Sequence, residues 1–90
     1  MTLTQLQYTL AVAEQGNFTQ AAEKCFVTQP TLSMQVQKLE EELGVKLFNR
    51  NTKPISLTAI GEKIIEQAKM ILKEAKRMDD IVSVEKGIVG

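Results

Sequence analysis

The sequence predicts a mainly α-helical chain of three helices, a short β-hairpin and one long helix. Three observations carry this. Apolar residues recur at three- and four-residue steps from Leu3, from Leu32 and again from Leu57 onward. Two of these stripes have explicit stops, the first at Gly16 and the third-helix stripe at Gly44. Between the third helix and the long one the rhythm changes. After a turn-rich Asn49-Arg50-Asn51-Thr52-Lys53-Pro54, residues Ile55, Ser56, Leu57 and Thr58 alternate apolar and polar, as a half-buried strand does.

Each element has its own signals. Thr2 and Gln5 have the spacing of a capping box, and Leu3, Leu6, Leu10 and Ala13 follow as the stripe of a first helix. Asn17 can cap a second, short helix that contains Ala21, Ala22 and Cys25, with Phe18 and Phe26 as flanking core anchors. Thr28 can cap the third helix. Pro30 falls in its first turn, where a missing N–H costs nothing, and Gly44 suits the left-handed position after its end. Val45, Leu47 and Phe48 lead into the hairpin, whose tip is basic. Thr58 or its successor begins a helix that can run to about Glu85. Three helices followed by a hairpin is the order of a winged helix-turn-helix, with the helix-turn-helix at about 18–37 and the wing at about 45–58.

Composition sets the bounds. Ninety residues make one small domain with an extension, and a core of that size can leave apolar surface for a partner chain. The formal net charge is zero, which by itself disfavours a nucleic-acid binder. Its distribution is uneven, however. Residues 44–58 carry Lys46, Arg50 and Lys53 and no acid, whereas residues 59–90 carry six basic and six acidic side chains. The single cysteine excludes an internal disulfide framework, and there is no histidine for a metal site or a His-based triad. The first residues show neither a basic n-region nor a long apolar run, so the expectation is a cytoplasmic protein with no membrane segment. Nothing implies a cofactor. Without a metal cluster or a glycine-rich phosphate loop, an enzyme is disfavoured.

The third helix points toward function. Leu32, Val36, Leu39 and Leu43 share one face. The opposite face collects Pro30, Met34, Gln37, Lys38 and Glu41, flanked by Thr31 and Ser33, and its first two turns hold no acid. Small side chains and free N–H groups at a helix N-terminus suit close approach to phosphates. Gln29 and Gln37 can both donate and accept, as reading a base edge requires. A wing bearing Arg50, Thr52 and Lys53 can reach phosphates or a minor groove beside that helix. The competing interpretations are a solvated helix face and a winged-helix module for protein–protein contact and coiled-coil dimerisation without DNA.

The run FTQAAEKCFVTQPTLSMQVQKLEEELGVKLFNRNTKPISLT, Phe18 to Thr58, resembles the DNA-binding domain of LysR-type transcriptional regulators. The most specific pieces are FTQAA, QPTLS, KLEEELGVKLFNR and LTAIG, and the likeness extends over nearly the whole chain. In detail the residues are most similar to the peroxide-sensing OxyR branch. The resemblance implies a bacterial transcription factor that binds double-stranded DNA as a dimer on inverted half-sites. An effector would bind a C-terminal domain outside this chain. Base contacts carried over from the family fall on Gln29, Pro30, Thr31, Ser33 and Met34, and wing contacts on Arg50, Thr52 and Lys53. Many members have Arg where Met34 stands. Met34 cannot read guanine, which shifts weight to DNA shape.

The long helix carries a heptad seam: Leu57, Gly61, Ile64, Ala68, Ile71, Ala75, Met78 and Val82, in alternating four- and three-residue steps. Small Gly61, Ala68 and Ala75 would let two such helices approach closely, with Ile60, Ile65 and Leu72 covering the partner's globular part. Residues 59–86 are therefore expected to be a dimerisation helix with contacts at Ile64, Ala68, Ile71, Ala75, Met78 and Val82. Residues 1–58 are expected to be the DNA-binding domain and residues 87–90 the start of a missing effector domain. Cys25 has only Lys24 to favour a thiolate and is expected to be structural.

Overall fold

A computed structural model of the chain describes residues 1–87; Ile88, Val89 and Gly90 of the expected 87–90 junction lie outside the described residues. The elements run α1 (Leu3–Gln15), α2 (Phe18–Lys24), α3 (Gln29–Leu43), β1 (Phe48–Asn49), β2 (Ser56–Leu57) and α4 (Ala59–Glu85). The two strands pair antiparallel, Phe48 opposite Leu57 and Asn49 opposite Ser56. The fold is a winged helix-turn-helix with a long C-terminal helix.

Local chemistry sets the helix ends. Thr2 and Gln5 form a complete capping box on α1, which Gly16 closes at φ 66°. The Asn17 side chain accepts from the Gln20 N–H at the start of α2. Gly44, at φ 72°, ends α3 and donates to the Glu40 carbonyl. Thr58 does two jobs. Its hydroxyl accepts from Gly61 N–H to cap α4 and donates to the Lys46 carbonyl at 2.7 Å, so α4 is tied to the chain leading into β1.

Leu6, Val12, Ala21, Ala22, Leu32, Val36, Leu39, Leu47, Phe48 and Ala68 form the core, with contributions from all four helices and the hairpin. Phe18 meets Phe48 edge-on, ring centroids 6.0 Å apart at 70°. A Gln5 to Gln35 amide hydrogen bond of 3.1 Å adds a polar link between α1 and α3. The wing is braced against the body where Ile55 N–H donates to the Gly16 carbonyl at 2.9 Å.

Four expectations need correction. Phe26 is not a core anchor: it is 94% exposed and holds φ 59°. Leu57 belongs to β2, not to the helical seam. Gly61 is small because a Cβ there would lie 2.1 Å from the Leu47 carbonyl oxygen, so the close approach it permits is to its own chain. Ala68, at 1% exposure, is buried in its own domain together with Ile65, while Ile64, Ile71 and Leu72 pack half-buried against the same core. Helical periodicity places a stripe toward something apolar, and here the first half of that stripe finds it within the protomer.

Candidate nucleic-acid interface

α3 turns its apolar side inward through Leu32, Val36 and Leu39. Pro30, Thr31, Met34, Gln37 and Lys38 are exposed on the outer side, and Ser33 and Gln29 are half-buried at its edge. No acidic residue occupies the first turn. Thr28 stands at the N-cap with extended backbone, yet its side chain caps nothing; its hydroxyl donates to Thr31 Oγ1 at 2.8 Å. The first N–H groups of α3 therefore have no side-chain acceptor. They and the helix dipole favour an anion at this end.

Gln29 is not idle. Its Nε2 donates to Ser33 Oγ at 2.6 Å, one turn further along the helix. A two-bond contact from Gln29 to adenine uses the amide oxygen and one of its two N–H groups, so the bond to Ser33 can persist and fix the orientation of the amide.

The hairpin presents Thr52 and Lys53 at its exposed tip. The Thr52 hydroxyl donates to the Asn49 carbonyl at 3.0 Å and lies 3.1 Å from Ser56 Oγ, so it shapes the turn. Among the described residues Lys53 forms no ion pair and is an available point charge. A cleft of about 390 Å³ runs between the tip and the α1–α2 turn, lined by Gln20, Arg50, Thr52 and Lys53 among others.

Arg50 departs most from expectation. Its guanidinium donates to Glu40 Oε1 at 2.8 Å and lies 4.7 Å from the Phe18 ring centroid. Glu40 is 2% exposed on the inner side of α3, and its other oxygen accepts from the Leu47 N–H at 2.7 Å. Arg50, with 41% of its side chain exposed, is thus the counter-ion of a buried carboxylate and a lid on the aromatic pair before it is anything else. The local charge of the wing is correspondingly lower than a count of its side chains suggests. In the sequence Glu40 is simply the first of three consecutive acids near the end of α3. Its spacing of four from Val36 and its position next to Leu39 put it on the edge of the buried stripe, and that was the available signal.

Cys25 is half-buried at the end of α2. Burial pushes its thiol above the ordinary value against a smaller downward pull from Lys24, as an inert structural cysteine requires. Among the described residues no group of side chains could hold a metal, and no helix is long and apolar enough to cross a membrane.

Comparison with known proteins decides the family. Residues 3–62 match the bacterial regulatory helix-turn-helix proteins of the lysR family. The chain belongs to the LysR family. A curated relative, the hydrogen peroxide-inducible genes activator of Pectobacterium carotovorum subsp. carotovorum, is 42% identical over 83 residues, covering 92% of this chain and 28% of its own length. The chain thus spans about a quarter to a third of the length of the curated relatives it matches. Among solved structures, the BenM DBD in complex with benA site 1 DNA superposes with TM-score 0.90 at 37% identity, covering 96% of this chain and 97% of that one. Full-length OxyR from Pseudomonas aeruginosa does so with TM-score 0.89 at 44% identity, covering 93% of this chain and 28% of that one.

Proposed function

We propose that this LysR-family chain binds double-stranded DNA sequence-specifically, as a homodimer on two inverted half-sites, within a cytoplasmic transcriptional regulator. The observation that carries this is the exposed, acid-free, uncapped start of α3, in a chain whose hairpin tip also presents Lys53 without an ion-pair partner among the described residues. α3 would enter the major groove by its N-terminal end, with Gln29, Pro30, Thr31, Ser33 and Met34 toward base edges and Gln37 and Lys38 further along. Lys53 would neutralise a phosphate, and Arg50 would hold the wing in place and offer only its exposed edge. Met34, which is exposed, can touch a thymine methyl or a sugar, so DNA shape would carry part of the selectivity.

Dimerisation would use the far half of α4. Met78, Ile81, Val82 and Val84 are exposed there, and a groove of about 560 Å³ lies between Leu3 on α1 and Leu72, Ala75 and Met78 on α4. Ala75, Met78 and Val82 remain as partner contacts, Ile64 and Ile71 offer their exposed edges, and Ala68 contributes indirectly by holding α4 to its own domain. The similarity to an activator of hydrogen peroxide-inducible genes supports a regulator that responds to peroxide, with sensing outside residues 1–87.

The test is selection of bound duplexes from random DNA by the purified chain at two salt concentrations. The expected result is enrichment of an interrupted inverted repeat, with log K falling linearly against log salt. Enrichment of nothing above the starting pool would reject the reading and favour a protein-contact module.

A further inference from the structure

The turn between α2 and α3 contains a residue that the fold does not explain. α2 closes with paired hydrogen bonds, Val27 N–H to the Ala22 carbonyl at 3.0 Å and Phe26 N–H to the Glu23 carbonyl at 3.2 Å. This is a Schellman closure, and it requires a left-handed residue at position 26. Glycine or asparagine takes that backbone readily, and helix-turn-helix turns often contain glycine. Here the residue is phenylalanine, at φ 59°, with 94% of its surface exposed. Its neighbour Val27 packs against the core. The ring of Phe26 therefore gains nothing from burial, and its backbone conformation is one that a bulky residue disfavours. Neither the turn nor the core of the monomer accounts for an aromatic side chain at this position.

Position decides what does. Phe26 stands two residues before Thr28, the N-cap of α3, so its Cα lies within about 7 Å of the start of the recognition helix. Thr28, Pro30 and Thr31, which follow it in the chain, are exposed as well. In the major groove the apolar features beside a helix N-terminus are thymine methyls and deoxyribose carbons, and phenylalanine is among the side chains that pack on a thymine methyl.

We infer that Phe26 is a DNA-contacting residue whose ring packs on the apolar edge of the duplex next to the bases reached from the start of α3. This rests on the DNA-binding reading above and adds a contact from the turn to those made by α3 and the wing. A ring contact of this kind excludes water from the neighbouring polar contacts and neutralises no phosphate.

The experiment compares wild type, Phe26→Asn and Phe26→Leu on a duplex that the wild-type chain has selected. Asparagine suits the left-handed backbone, so this variant should melt higher than wild type and fold without difficulty. It should nevertheless bind roughly five- to tenfold more weakly, the scale of one well-packed apolar contact, with the salt slope unchanged. Leucine should recover part of the loss. Replacing thymines one at a time by uracil locates the contact. A position that weakens wild type but not Phe26→Asn identifies a methyl group, and a loss with no such position identifies deoxyribose; both outcomes support the inference. Equal affinity of wild type and Phe26→Asn overturns it and points to a protein partner for the ring. A wild-type chain that selects no duplex overturns the underlying reading together with this one, a result distinct from selective binding that ignores Phe26.

Discussion

The two halves of α4 carry one apolar rhythm and meet different surroundings. In the first half Gly61, Ile65 and Ala68 are buried against their own domain, and Gly61 lies under the Leu47 carbonyl. In the second half Met78 is 69% and Val82 49% exposed, with Ile81 and Val84 beside them. At about 1.5 Å per residue the 27-residue helix is roughly 40 Å long, and only part of it can lie on a domain this small. A heptad spacing says that a stripe will be covered. It does not say by which chain.

The two cations of the hairpin repeat the lesson in charge. Arg50 and Lys53 are three residues apart and look equivalent in the sequence. Arg50 is bound to Glu40 and stacked on Phe18, whereas Lys53 has no acidic partner among the described residues. A basic count measures phosphate affinity only after internal pairs have been subtracted.

These contrasts can be broken by substitution. The largest effect is expected for Ala68→Glu. An uncompensated charge in that site should cost about 3–5 kcal/mol, read as a lower urea midpoint with loss of helical circular dichroism. If Ala68→Glu instead left a stable monomer, Ala68 would belong to the dimer seam after all. In the far half, Met78→Glu with Val82→Glu should leave the unfolding free energy of the dilute chain within about 0.5 kcal/mol of wild type. Sedimentation should then show a monomer, and affinity for a two-half-site duplex should fall by ~100-fold or more. A dimer that survives this pair would have to be built elsewhere.

For the hairpin, Arg50→Ala should destabilise the domain by about 2 kcal/mol. That is less than for a fully buried pair, because water can reach the vacated side of Glu40. The effect of Lys53→Ala on stability should be the smallest, within about 0.5 kcal/mol, while the slope of log K against log salt becomes shallower by roughly one unit. Equal loss of stability in the two variants would mean that the Arg50–Glu40 pair contributes little to the fold.

Much was determined by the sequence alone. The capping box at Thr2, the Asn17 cap, the left-handed glycines 16 and 44 and the Thr58 start of α4 are local, because each depends on hydrogen bonds within a few residues. The inward stripe of α3 and its acid-free outer face follow from 3.6-residue geometry, so the candidate interface was legible there as well. What the tertiary structure decided are matters of partnership. Glu40 is buried because Leu47 N–H and Arg50, seven and ten residues further along, converge on its carboxylate. Gly61 is required because the Leu47 carbonyl, on the chain leading into β1, lies against α4, and Ala68 is covered because α4 packs on the core. Phe26 projects outward because the closure of α2 dictates its backbone, whatever its side chain would prefer. Hydrophobicity and charge are properties of single residues. Burial and neutralisation belong to pairs, and the pairs exist only once the chain has folded.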